Sequence, residues 1–166
     1  AQSIDKDLHE YIRYCKQILV NDPQQPKYWN ELGQAYNELR PSENAIAAFE
    51  KAMEIIQQWD ATDNYVGTSM GCGDAYSING DFEKAKEVYE LGEKLYPESW
   101  NLCRQQVINL LRMGDPILAE AYISKYWKIT KEINFWTDAE VNHRIAHMHD
   151  DAGFNNIADS IWRSVR

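Results

Sequence analysis

The chain is 166 residues long, 44% hydrophobic, and carries a net charge of −9, which suits one domain with a substantial core. The acid excess argues against nucleic-acid binding, which rests on Lys and Arg neutralising phosphates, and no apolar run approaches the ~18 residues of a membrane span. Cys15, Cys72 and Cys103 are odd in number and lack CxxC spacing, so they read as small apolar residues in a reducing compartment. A cytoplasmic location is therefore expected, with secretion or the periplasm left open by the ambiguous start Ala1-Gln2-Ser3.

Residues 4–20 read as one amphipathic helix, with Leu8, Tyr11, Ile12, Cys15, Ile18 and Leu19 on its apolar side. Asp22-Pro23 ends it. Residues 26–59 form the first full unit. Trp29, Leu32, Gly33 and Tyr36 share one helical face, and Arg40-Pro41-Ser42 interrupts, with Ser42 placed to cap a second helix. That helix carries Ala45, Ala48, Phe49 and Ala52 on one stripe, continued by Ile55, Ile56 and Trp59. A turn follows at Asp60–Asp63, where Thr62 or Asp63 would cap the next helix.

Residues 64–97 repeat the scheme. Gly73 and Tyr76 keep the spacing of Gly33 and Tyr36, and Ala85, Tyr89 and Gly92 keep that of Ala45, Phe49 and Ala52. Asn79-Gly80-Asp81 is the turn between them. Ser69 and Cys72 stand where a Trp and a Leu would complete the pattern. A third unit, 99–133, has Leu110, the turn Gly114-Asp115-Pro116, and Ala119, Ile123 and Tyr126, with Gln106 at an apolar position. A fourth, 136–166, has Ile145, Ala146 and His149, then Gly153, then Ala158 and Trp162. Gly80, Gly114 and Gly153 are 34 and then 39 residues apart; the surplus falls in Lys128–Asp138, where the preceding helix should extend before a turn near Asn134. About nine helices result.

The first unit resembles the tetratricopeptide repeat, W-x2-L-G-x2-Y…A-x3-F in roughly 34 residues, through Trp29, Leu32, Gly33, Tyr36, Ala45 and Phe49. The resemblance implies an all-α fold: a tetratricopeptide-like α-solenoid of stacked antiparallel helix pairs in a right-handed superhelix. Helix 4–20 would then be the second half of a repeat, capping the stack. The first helix of each pair would line a concave groove. At the other end Trp162 or Val165 would be left uncovered, which suggests a fragment, a self-association surface through the C-terminal helix, or simple exposure.

Signals for chemistry are weak. His143 and His147 are one helical turn apart, but Arg144 stands where a zinc protease needs its Glu, and His149 takes the core-facing Tyr position. No metal and no cofactor are expected. Met70-Gly71-Cys72-Gly73 lacks the strand, third Gly and Lys-Ser/Thr ending of a phosphate loop, and helix–helix closeness explains its glycines better. The cysteines have no catalytic signature around them, and no GxSxG elbow is present. The chain reads as a non-enzyme.

Transferring the family's concave face onto this chain implies a groove lined by Lys27, Asn30, Gln34 and Asn37, then Met70, Asp74 and Ser77, then Asn101, Arg104 and Ile108, then His143, His147 and Asp150. Asn and Gln there would hydrogen-bond an extended peptide, and Arg104 would meet a carboxylate. Almost none of the Lys, Asn and Arg clamp by which related co-chaperones grip acidic tails is present, since its positions hold Asn30, Gln34, Gly71, Asn101 and Gln105. The function expected is an adaptor or scaffold that binds a peptide or helix of a partner protein. The alternative is a self-assembling structural unit using its terminal helix faces.

Overall fold

Apolar periodicities near 3.6 become eight α-helices among the described residues, which are 2–39, 43–58 and 65–153 of the computed structural model. The helices are α1 (Gln2–Asn21), α2 (Pro26–Leu39), α3 (Glu43–Gln58), α4 (Tyr65–Ile78), α5 (Phe82–Leu95), α6 (Trp100–Met113), α7 (Pro116–Lys128) and α8 (Asp138–Asp151). A five-residue π-helical segment, Ile129–Ile133, follows α7. The chain divides into two compact units, Ala1–Leu95 and Tyr96–Arg166. Ser42, Trp59, Thr62, Asp63, Ala158, Trp162, Val165 and the expected ninth helix lie outside the described residues.

In the first unit α2 pairs with α3 and α4 with α5, and α1 packs on α2. The stripe Ile12, Cys15 and Leu19 meets Leu32, Ala35 and Ala48 in one apolar cluster. Trp29 is only half-buried, and its indole N–H donates to the Pro23 carbonyl at 2.8 Å, tying α2 to the turn that ends α1. Phe49 is fully buried, and a Cβ on either Gly33 or Gly71 would come within 2.8 Å of its ring. The missing side chains of α2 and α4 thus make the slot that the α3 ring fills.

Helix α4 buries small and polar residues, Ser69 and Cys72 among them, where the repeat pattern has a Trp and a Leu. Ser69 is inaccessible, and its hydroxyl donates to the Val88 carbonyl of α5 at 2.6 Å. Cys72 and Ala75 are likewise inaccessible. Tyr76 is buried, and its hydroxyl donates to Glu50 on α3. Burial, followed by that bond, pushes the Tyr76 phenol well above its ordinary pKa. At the α4–α5 turn Gly80 takes φ +88°, the left-handed conformation that favours glycine.

In the second unit α6 is nearly all core, from Leu102 and Cys103 through Leu111. Its ends are fixed locally: the Ser99 hydroxyl accepts from Leu102 N at 3.3 Å, and Gly114 closes it with φ +77°. Asp115 then caps α7, with Pro116 in the first turn. Gln106, anomalous in the sequence, is buried with its amide 3.4 Å from the Tyr122 hydroxyl of α7.

The residue surplus is absorbed after α7, where Asn134 N donates back to Ile129 O at 3.2 Å and Trp136 N to Thr130 O at 2.9 Å. Thr137 and Glu140 then start α8 with reciprocal bonds, a capping box. Val141, Ile145 and Met148 pack α8 into the same apolar cluster as α6 and α7.

Candidate functional site

Four of the sequence-predicted groove residues, Gln34, Asn37, Met70 and Asp74, line a hollow between α2 and α4 of the first unit. Gln34, Asn37 and Glu38 lie three and four residues apart on α2, and Gly67, Met70, Gly71 and Asp74 follow the same spacing on α4. Between these walls is an open space of about 370 Å³ floored by Phe49. The two glycines keep the α4 wall low, and a Cβ on Gly67 would meet nothing within 4 Å.

The polar atoms of this face are mainly acceptors. Asn30 Oδ1 and Asn37 Oδ1 are both buried with no hydrogen-bond partner among the described residues, a costly state until a donor arrives. Asp74 accepts a bond from the Tyr89 hydroxyl, so its carboxylate is held in place. Glu38 is exposed at the rim. Lys27 is exposed and leans over the Tyr28 ring. Ser77 is 4% exposed, inside the helix packing, and presents no surface to a ligand.

The second-unit candidates are distributed differently. Asn101 is exposed on α6. Arg104 is already engaged: its guanidinium lies 2.6 Å from the Asp151 carboxylate, while Arg112 donates to the Asp151 carbonyl at 2.9 Å. The cation offered to a partner's carboxylate instead ties α6 to α8. Ile108 is 4% exposed and belongs to the core cluster, so it is unavailable to a ligand.

His143 and His147 are exposed and meet edge to face with centroids 4.7 Å apart. Asp150 is half-buried near the end of α8. His149 is buried, with Nδ1 2.9 Å from the Ile145 carbonyl. Among the described residues, no three His, Cys, Asp or Glu side chains gather closely enough to hold a metal ion. None of the described helices is long and apolar enough to cross a membrane.

Four lining residues escaped the sequence reading: Glu38, Phe49 as a floor, Gly67 and Gly71. The spacing of Gly67 and Gly71, one turn apart on the α4 face that carries Met70 and Asp74, was the available signal.

The tetratricopeptide-repeat family pattern matches residues 26–58 and 72–99. These two stretches carry tetratricopeptide repeats. Its backbone is similar to a crystal structure of MamA, with a TM-score of 0.71 over 96% of this chain and 87% of that one at 15% identity. It is also similar to TTC0263, a thermophilic tetratricopeptide-repeat protein of Thermus thermophilus, with a TM-score of 0.64 over 96% of this chain and 84% of that one at 18% identity. No match was found among curated protein sequences. At such identities the two structures speak for the all-α repeat fold.

Proposed function

We propose that this protein is a non-enzymatic interaction module that holds an extended segment of a partner protein in the α2–α4 hollow. The observation that carries this reading is the unpartnered, buried Oδ1 of Asn37 beside an open space lined by Gln34, Met70 and Asp74. A peptide N–H supplies the missing donor, and Met70 offers an adaptable apolar contact. Helices already packed in place need little reordering on binding, which limits the entropic cost. A tetratricopeptide fold supports a protein partner.

Gly67→Leu tests the reading directly. The new side chain points into open space, so the helix should accept it while the hollow fills. Peptides selected from a random library on the parent protein should lose at least about tenfold in affinity for Gly67→Leu, and about two- to tenfold for Asn37→Ala, the equivalent of one hydrogen bond. Circular dichroism would establish that both variants are folded. Selected peptides that bind both variants as tightly as the parent would remove the hollow as the site.

A further inference from the structure

A second and larger concavity opens among α1, α2 and α3, with a volume of about 570 Å³. Its surface is mostly aliphatic and aromatic. Val20, 83% exposed, forms part of the α1 wall, Trp29 and Tyr36 form a half-buried floor on α2, and the exposed Ala47 forms part of the α3 wall. Large apolar groups left accessible side by side are unfavourable in water until something covers them.

The geometry is that of a helix seat. Trp29 and Tyr36 are seven residues apart, two turns of α2, so the floor runs for about 10 Å along a helix axis. Each wall is also helical, and Ala47 with Ala48 keeps the α3 wall low enough for a backbone to approach. An incoming helix would complete a four-helix arrangement, presenting residues at i, i+3, i+4 and i+7 to the floor.

The rim states the charge of the occupant. Lys16 on α1 and Lys51 on α3 flank the two sides, and none of the lining residues is acidic, although the chain holds 26 Asp and Glu against 17 Lys and Arg. Lys16 leans over the Tyr36 ring with its ammonium 5.7 Å from the centroid. Lys51 pairs with Glu54 at 3.1 Å, a solvated contact along one helix that leaves its charge available to a closer carboxylate. We infer that the α1–α3 groove receives an acidic amphipathic helix from a partner protein, its apolar stripe on Trp29 and Tyr36 and its Asp or Glu residues against Lys16 and Lys51. This face is distinct from the α2–α4 hollow, whose two charged lining residues, Glu38 and Asp74, are both acidic.

The test uses two synthetic helical peptides of about 15 residues, long enough to hold a helix, with one Leu/Ala stripe flanked by Glu in the first and Lys in the second. Titration calorimetry should give the Glu peptide at least about tenfold tighter binding. The Lys16→Glu/Lys51→Glu double variant should reverse that preference, and Ala47→Glu, at an exposed wall position, should weaken the Glu peptide about as much while the melting temperature holds. Absence of binding, equal binding of the two peptides, or indifference to Ala47→Glu would overturn the inference. Sedimentation showing a dimer that Ala47→Glu dissociates would also overturn it, by making a second copy of this chain the occupant.

Discussion

The fully buried ring of Tyr89 lies against the bare Cα of Gly73, so close that a Cβ there would stand 2.3 Å from Cε1 of the ring. This contact sets the separation of α4 and α5, and the ring cannot retreat because its hydroxyl is held by Asp74. Gly73→Ala is expected to destabilise the protein by about 1–3 kcal/mol through overpacking, despite the better helix propensity of Ala. Gly67→Ala is the matched control, with open space around its Cβ and an expected gain of about 0.5–1 kcal/mol. Thermal melts of the pair should move in opposite directions. A Gly73→Ala protein as stable as the parent would deny the contact any part in spacing the helices.

Ser69 takes the place of the family's tryptophan and replaces its packing by a hydrogen bond to Val88 O at 2.6 Å. Ser69→Ala should cost about 1 kcal/mol, the net worth of a typical internal bond. Ser69→Trp, although it restores the repeat pattern, should be far worse because the site is fully enclosed. Chemical denaturation of both variants checks the order, and a tolerated Trp would mean that the enclosure is easily remodelled.

The same comparison marks how far the sequence was legible. Helix positions followed from period and turn signals, because Gly80, Gly114 and Gly153 really do take positive φ and Pro116 opens a helix. The hollow was legible through Gln34, Asn37, Met70 and Asp74, since residues at helical spacing on neighbouring first helices must share a face. What stayed hidden depended on distance across helices. Nothing in the order of residues says that Arg104 is held by Asp151, 47 positions away, or that Ile108 turns inward rather than outward. The α1–α3 groove was equally hidden, since Trp29 and Tyr36 look like pure core in the repeat pattern and are half-exposed in the structure.

Tyr126 presents the opposite balance to Ser69. It is 0% exposed with its hydroxyl unpartnered among the described residues, and burial pushes its pKa up to about 12 against the opposing pull of Arg144 and Arg104. The ring is useful, packing edge-on to Trp136 at 6.4 Å, whereas the hydroxyl is desolvated without return. Tyr126→Phe should therefore leave stability unchanged or raise it by up to about 1.5 kcal/mol. A clear fall in melting temperature would indicate that the hydroxyl has a bound water or another partner.

The three cysteines are all buried thiols outside any disulfide. Burial, with a further push from Glu50, raises the Cys72 thiol to about 12, and burial raises Cys15 as well. Thiolate is the reactive form, so both enclosure and protonation oppose modification. Ellman's reagent at mildly alkaline pH should titrate none of the three in the native protein and all three in denaturant. Rapid native labelling of Cys72 would show that α4 opens locally.

The start of α8 carries a dependence on pH. Glu140 accepts from the Thr137 backbone N–H at 2.7 Å and from the Thr137 hydroxyl at 2.9 Å, and these bonds hold its carboxyl below the ordinary value. A carboxyl depressed by folding stabilises the native state above its unfolded pKa, and that contribution is lost as pH falls through its folded pKa. Acidification through and below the usual glutamate range should therefore weaken the cap, and with it the anchoring of α8 after the π-helical segment. Gln still caps but does not titrate, so Glu140→Gln should remain folded at neutral pH and lose less stability on acidification than the parent. Thr137→Ala removes the reciprocal partner and should cost about 1 kcal/mol at neutral pH. Urea midpoints collected across the acid range separate the two effects, and parallel pH profiles for parent and Glu140→Gln would exclude Glu140 as a source of acid sensitivity.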